Sequence, residues 1–367
     1  MFILAHNNAR IFGGGELGTV RLLEGLQARG HRVLMLFRDE KNAARAAEYG
    51  IPTGVHRIGG DAMLPHAVRF SRRLRRERPD AVILTTFRRV FLAGMGAWRS
   101  GVPFVVQRIV LQGNVPTALR HRIALRRWVD AVVLNAGAMR PGFLAADPGL
   151  DPAKVIAILD GVRAPVATRE PGAVRRELGI PDGARVVGSV ARLAWQKRFD
   201  RLLRALAVLP PDVHCVIAGE GGQGEKLRAL AAELGMADRL HLVGFRADVG
   251  DVLGAMDAFA VSSDSEGMAN AMLEAMMAGV PVVSTDVSGA REALEPEPGE
   301  PLPGIVTGFD ETELADALRR VLYEPGQREA MGRAARERAE RRFGWDRFVD
   351  EWEALLVEGV RRGRDGR

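Results

Sequence analysis

Short runs of Val, Ile, Leu and Ala recur along this chain, and stretches with helical periodicity separate them. Phe2–Ala5 reads as a strand, His6–Gly15 as a loop, Glu16–Arg29 as a helix stopped by Gly30, and His31–Phe37 as the next strand. Further strand-like runs lie at Ala81–Thr85, Pro103–Val106, Ala131–Leu134 and Val155–Leu159, with Arg-rich helical stretches at Pro65–Arg78 and Pro116–Trp128. Apolar strands that alternate with helices require cover on both faces, so the pattern predicts a mostly parallel α/β sheet. Near Ala164–Gly172 the periodicity lapses into a linker composition. It then restarts, with strands at Val186–Ala191, His214–Ala218, Leu240–Val243, Ala258–Val261 and Val280–Ser284. Helices are expected at Phe199–Leu209, Glu225–Leu234, Val249–Met256 and Ala271–Ala278. A Pro-rich surface loop, Glu295–Gly304, precedes three last helices, Thr312–Tyr323, Gln327–Arg342 and Trp345–Val360. With 367 residues the chain has room for two domains of ordinary size.

The richest segment runs from Asp257 to Glu292. A strand-like run, Asp257–Ser263, leads into a short loop, Glu266–Asn270, which opens a helix; Gly279 and Pro281 stop it. The loop lies beyond a strand's carboxyl end, where α/β sheets bind ligands, and the helix aims its free N–H groups there. Asn270 and Glu274, four apart, face one side of the first turns. A glutamate on an amphipathic helix is ordinarily a solvated residue. Against that, Glu274 sits among Met272, Leu273, Ala275 and Met276, with no other charge until Asp286.

This segment resembles the donor-site signature of retaining glycosyltransferases of family 4, which have the GT-B fold. The spacing between Glu266 and Glu274 matches, as do Gly267, Asn270, Gly279, Pro281 and Glu292. The resemblance implies an α/β fold of the GT-B type: two Rossmann-like domains facing each other across a cleft, with a C-terminal helix crossing back to the first. The acceptor-side domain would span residues 1–165 and the nucleotide-sugar donor domain 173–345. Residues 346–367 would be the returning helix and a frayed tail. The family's first glutamate contacts the donor sugar and its second holds the ribose, roles that fall here on Glu266 and Glu274. Gly267, Met268, Ala269 and Asn270 complete the donor loop.

Other segments fit the same resemblance. Arg192 and Lys197 follow a strand and precede a helix, where the family carries an Arg…Lys pair that clamps the donor diphosphate without metal; arginine offers bidentate geometry and lysine a point charge. Plain surface charge is the other reading, since Arg198, Arg201 and Arg204 follow. Phe12-Gly-Gly-Gly-Glu-Leu17 matches the family's Gly-Gly-x-Glu, which places Gly14 and Gly15 on the donor phosphate and Glu16 on the acceptor side; the same glycines also suit a tight βα turn. Ile217–Gly221 and Val243–Asp248 resemble the loops beside the base, which backbone groups near Phe245 and Arg246 would read. Asp160-Gly-Val-Arg163 stands where the family usually has Asn-Gly-Val-Asp. Many relatives carry a histidine after the strand at Pro103–Val106; this chain has Gln107 and Arg108, either substitutes on the acceptor side or ordinary strand-end residues. Asp264-Ser-Glu266 has the spacing of a metal-binding carboxylate pair, but its context is the donor motif, and the seven histidines are scattered. No metal or cofactor is expected.

Charge is unevenly divided. Residues 1–165 carry 25 Lys and Arg against 12 Asp and Glu, the remainder 27 against 34. The basic surplus of the first half points to an anionic partner. Val68, Leu74, Leu119, Ile123 and Trp128 can lie on one side of the Arg-rich helices, as on a membrane-facing surface; an ordinary packed helix fits the same pattern. The basic stretches lack interleaved aromatics and any nucleic-acid module, which argues against nucleic acid. No apolar run approaches a bilayer span, and Met1–His6 is too short and lacks the basic leader of a signal peptide. Cys215, the single cysteine, fits a reducing cytoplasm and a packing role.

The expectation is a cytoplasmic transferase, peripheral on the inner face of the membrane. It would move a sugar with retention from a nucleotide sugar to a hydroxyl of a glycan or lipid-linked acceptor, in cell-envelope polysaccharide or glycolipid synthesis. A GT-B-fold epimerase and a basic nucleic-acid-binding protein are the alternatives.

Overall fold

The computed structural model of the chain describes residues 1–59 and 64–365, in two compact units. The first comprises Met1–Asp160 together with the chain from Asp346 onward; the second is Gly161–Trp345.

The first unit is built on seven parallel strands: β1 (Phe2–Asn7), β2 (Arg32–Phe37), β3 (Thr53–Val55), β4 (Ala81–Leu84), β5 (Phe104–Ile109), β6 (Ala131–Leu134) and β7 (Val155–Ala157). The helices between them are α1 (Gly14–Ala28), α2 (Glu40–Ala47), α3 (Leu64–Glu77), α4 (Val90–Ser100), α5 (Leu119–Arg127) and α6 (Arg140–Ala146). Strand order is β3-β2-β1-β4-β5-β6-β7. Strands β1, β4, β5 and β6 are buried at every position. Such strands have no solvent side, so they read as unbroken apolar runs.

Three helices and one strand of this unit carry little signal. Helix α4 is apolar almost all round, so no polar stripe marks its period. It lies so close to α3 that a Cβ at Gly96 would sit 2.8 Å from the carbonyl oxygen of Ala67. Strand β3 is a three-residue edge strand with a central glycine. Helices α2 and α6 are short. Leu74 is buried, as the packed-helix reading of α3 requires and the membrane-facing one does not.

The second unit begins with an irregular segment and α7 (Pro171–Glu177), and its sheet has six parallel strands: β8 (Arg185–Val190), β9 (Val213–Ala218), β10 (Leu240–Leu242), β11 (Ala258–Val261), β12 (Val282–Thr285) and β13 (Gly304–Thr307). Interleaved are α8 (Phe199–Ala207), α9 (Gly224–Glu233), α10 (Val249–Gly254), α11 (Asn270–Met277) and α12 (Ala290–Leu294), followed by α13 (Glu311–Tyr323) and α14 (Gln327–Arg342). The order is β10-β9-β8-β11-β12-β13. Strand β13 emerges directly from the Pro-rich loop, which masks it in the sequence. The linker segment is tied down: Asp251 of α10 accepts the backbone N–H of Thr168 at 2.5 Å, that of Arg169 at 3.0 Å and the Thr168 hydroxyl at 3.0 Å. These donors hold its carboxyl below the usual range. Cys215 is buried, its thiol pushed up to about 12 by desolvation.

The last helix, α15 (Trp345–Asp365), belongs to the first unit from Asp346 onward. Trp352 and Leu356 are fully buried in it. Glycines let it approach: a Cβ at Gly359 would sit 2.4 Å from the Phe104 ring, and one at Gly363 2.0 Å from the Pro103 carbonyl oxygen. Charges add to the seat, with Glu353 2.7 Å from Arg29 and 2.8 Å from His31. The helix continues beyond the expected Val360 to Asp365, and Gly366 and Arg367, the end of the tail expected to fray, lie outside the described residues.

In each sheet the chain winds outward from a central strand, then starts again on its other side. The reversal falls between β1 and β4 in the first unit, and between β8 and β11 in the second. Adjacent loops diverge there, opening a crevice at the carboxyl ends of the strands.

Candidate active site

The second unit's crevice is lined by the loops after β8 and β11, which carry Arg192–Lys197 and Ser262–Asn270. Lys197 Nζ lies 2.5 Å from Glu266 Oε1, and the Ser263 hydroxyl donates to the same oxygen at 2.7 Å. Glu266 is buried and Lys197 half-buried. Two residues 69 positions apart in sequence thus meet at the switch point. The backbone around them is fixed: the Ser262 hydroxyl donates to the Lys197 carbonyl at 2.8 Å, and the Asp264 N–H to the Gln196 carbonyl at 3.0 Å. Thr285 of β12 donates to the Ser263 carbonyl at 2.8 Å. Ser263 was not singled out in the sequence; its position three before Glu266, at a strand end, was the available signal.

Arg192 is exposed and has no ion-pair partner among the described residues, whereas its basic neighbours are engaged. Arg198 reaches Asp200 at 3.0 Å and Asp264 at 3.1 Å; Arg201 reaches Asp264 at 2.8 Å and the Ser262 carbonyl at 2.7 Å. The hydrogen bonds that Arg198 donates to Asp200, and then to Asp264, raise its pKa. Arg198 and Arg201 therefore hold the loop, Lys197 is paired with Glu266, and Arg192 has no ion-pair partner among the described residues. Asp264 thus accepts from two guanidinium groups. Among the described residues no group of three or more His, Cys, Asp and Glu side chains is placed to hold a metal ion.

The Glu266–Asn270 loop is held from the segment between β12 and α12: the Gly289 N–H donates to the Gly267 carbonyl at 2.8 Å, and a Cβ on Gly289 would meet that oxygen at 2.7 Å. Met268 is buried and Ala269 caps α11. Asn270 and Glu274 are half-buried on α11's first turns, and the buried Oδ1 of Asn270 has no hydrogen-bond partner among the described residues. On the other side, the loops after β8, β9 and β10 are laced together. The Gly219 N–H donates to the Gly244 carbonyl at 2.7 Å, and that of Leu193 to the Glu220 carbonyl at 2.9 Å. Gly219 and Gly221 adopt φ of 146° and 156°, and a Cβ on either would run into the 191–193 backbone, so only glycine fits. Phe245 stands 64% exposed beyond β10, while Arg246 is engaged with Asp248 at 2.5 Å and Glu177 at 2.7 Å.

In the first unit the Gly14–Gly15 turn opens α1, and a Cβ at Gly15 would touch Val110 at 3.0 Å. Glu16 is a fastener for this turn: it accepts the Gly13 N–H at 3.0 Å and the Asn7 side-chain amide at 3.2 Å. Of the two readings open to Arg108, the contacts seen are those of a side chain packed inside the first unit. Its guanidinium is buried, 2.7 Å from Asp160 and 2.7 Å from the Thr19 hydroxyl, and Asn135 donates to the other Asp160 oxygen at 2.8 Å. Gln107, also buried, donates to the Arg108 carbonyl at 2.9 Å. The altered Asp160-Gly-Val-Arg163 motif thus supplies the carboxylate that pairs a buried arginine.

Two family models match the chain, one for glycosyl transferases group 1 over residues 172–338 and one for a glycosyl transferase 4-like domain over residues 13–158. The lipopolysaccharide core biosynthesis glycosyltransferase LpsE of Rhizobium meliloti is 28% identical over 340 residues, covering 89% of this chain and 93% of the relative. The D-inositol 3-phosphate glycosyltransferase of Actinosynnema mirum is 35% identical over 295 residues, covering 71% and 69%. A crystal structure of HepE from Anabaena in complex with UDP superposes with a TM-score of 0.84 at 21% identity, covering 98% of this chain and all of the other. The chain belongs to the family 4 glycosyltransferases and has their two-domain, Rossmann-like GT-B fold.

Proposed function

We propose that this glycosyltransferase moves a sugar from a nucleotide-sugar donor to a hydroxyl of a glycan or lipid-linked acceptor, with retention and without a metal, in cell-envelope polysaccharide synthesis of the lipopolysaccharide-core type. The observation that carries the reading is the Lys197–Glu266 contact at the second unit's switch point; Arg192, on the same loop as Lys197, is exposed and has no ion-pair partner among the described residues. A carboxylate paired with one cation, and a second cation on the same loop, provide for both halves of a sugar diphosphate, hydroxyls on one side and phosphates on the other.

In this reading Arg192 and Lys197 take the diphosphate, Glu266 orients the sugar, and Glu274 anchors the ribose. The unpartnered Asn270 Oδ1 accepts a donor hydroxyl, while the backbone around Phe245 and Arg246 reads the base. The acceptor oxygen bonds to the anomeric carbon on the face from which the diphosphate departs. The sugar–phosphate C–O bond breaks, and the leaving phosphate oxygen takes the acceptor's proton. Charge developing on that oxygen is met by fixed cations. The names of relatives add support: LpsE and LpsD are lipopolysaccharide core enzymes, and HepE has been crystallised with UDP-glucose.

An anionic membrane surface is the proposed setting. Helix α3 packs on α4, and the aromatic rings of Phe91 and Trp98 on α4 lie 5.1 and 6.5 Å from that of Trp128. Leu64, Val68, Trp98 and Leu119 are exposed on these helices among arginines, a combination suited to an interface. No helix among the described residues is long and apolar enough to cross a membrane.

The direct test is to rank thermal shifts over a panel of nucleotide sugars, then to follow the product's anomeric configuration by NMR. An inverted product, or no stabilisation by any nucleoside diphosphate, would overturn the assignment.

A further inference from the structure

The first unit's own switch point carries a cluster of arginines with no role in the scheme above. Arg10 follows β1, Arg38 follows β2, Arg57 follows β3 and Arg89 follows β4, and these four strands are adjacent in the order β3-β2-β1-β4. The loops bearing them are joined through one buried side chain. The Asn8 amide donates to the Ile58 carbonyl at 2.9 Å and accepts the Ile58 N–H at 2.9 Å, while the Asn8 backbone N–H donates to the Thr86 hydroxyl at 2.7 Å. The His56 N–H donates to the Phe37 carbonyl at 2.7 Å, which fixes Arg57 beside Arg38.

Arg10 and Arg57 are exposed, Arg38 and Arg89 half-buried. Arg10, Arg38 and Arg57 have no ion-pair partner among the described residues. Desolvation, then the charges of Arg57 and Arg10, lower the Arg38 pKa, with Asp39 opposing and Arg89 adding to the effect. Asp39 is committed elsewhere, capping α2 by accepting the Asn42 N–H at 3.0 Å. Like charges gathered by a rigid hub at a ligand-binding crevice repel one another until an anion joins them, and guanidinium forks suit phosphate oxygens.

We infer that the crest formed by Arg10, Arg38, Arg57 and Arg89 is a phosphate-binding site, and that the acceptor of this enzyme carries a phosphate or diphosphate group. Calling the ligand the acceptor rests on the glycosyltransferase reading above; the anion site itself does not. A phosphorylated glycan and a lipid phosphate share the required chemistry.

The test uses the full chain carrying Arg192→Ala and Lys197→Gln, so that the second unit's cations cannot answer for the first's. Calorimetric titration with inorganic pyrophosphate should give saturable binding. Adding Arg10→Ala, Arg38→Ala and Arg57→Ala should weaken it by at least about tenfold, since several charge-assisted hydrogen bonds are lost. Among the described residues the three side chains have no ion-pair partner to lose, so the melting temperature should not fall. A parallel arm measures binding to phosphatidic acid vesicles. Pyrophosphate competing the chain off the vesicles supports the site with a lipid phosphate as its source; saturable pyrophosphate binding with no effect on vesicles supports it with a phosphorylated glycan. No saturable pyrophosphate binding, or binding that survives the three substitutions, overturns the proposal. Because donor affinity plays no part in this background, failure here is distinct from failure of the donor assignment.

Discussion

Lys197 and Glu266 occupy each other, with 2.5 Å between ammonium and carboxylate, in a site whose proposed ligand needs both. A donor diphosphate must compete with Glu266 for Lys197, and a donor sugar must compete with Lys197 for Glu266. Glu266→Ala should therefore abolish transfer while leaving nucleoside diphosphate binding unchanged or tighter. Calorimetry with the diphosphate decides it: clearly weaker binding by the variant would contradict this competition.

Arg192→Ala and Lys197→Ala should each weaken nucleoside diphosphate binding, by about 1.5–3 kcal/mol for one charge-assisted contact. The same titration checks this. Wild-type affinity in both variants removes the clamp.

Turnover should persist in EDTA, because the proposed neutralising charges are side chains. Loss of activity on chelation and its recovery with manganese would return the question to a metal.

Breaking the buried pair of the first unit should be costly. Asp160→Ala leaves the Arg108 guanidinium without its carboxylate in a dry site, at about 3–5 kcal/mol. Chemical denaturation reads the loss, and a variant as stable as the parent would show that water reaches Arg108.

Acid should loosen the seat of α15. Hydrogen bonds from His31, then Arg29, hold the Glu353 carboxyl below its ordinary value of 4.5. A depressed carboxyl contributes stability that is complete above the unfolded value and is lost as pH falls through the folded one. Melting of the parent should thus decline below about pH 4.5 more steeply than that of Glu353→Gln. Parallel curves would assign the acid sensitivity to other groups.

Much of this molecule is legible in its sequence because a parallel sheet buried on both faces writes each strand as a plain apolar run. Ala131–Leu134 and Ala258–Val261 coincide with their strands for that reason. Legibility ends where the physics is not local. Helix α4, apolar on nearly all sides, has no stripe to read, and β13 is hidden by the prolines before it. Glu266 and Lys197 could be singled out by motif, but their contact arises only when two loops diverge from adjacent strands. Arg108 stays open between two readings in the sequence because a strand-end arginine looks alike there whether it faces a ligand or a buried Asp160. The crest arginines are each unremarkable alone; adjacency of four strands that are distant in sequence brings them together.

The seat of Trp352 on the first unit has a temporal consequence. The sheet that receives α15 is translated by Asp160, but the helix that covers it follows only after Gly161–Trp345. At roughly 5–20 residues per second this interval is on the order of 10–40 s. Throughout it the nascent first unit presents an uncovered apolar surface where Trp352 and Leu356 will lie, so a chaperone acting on this chain should engage it before the last helix emerges from the ribosome.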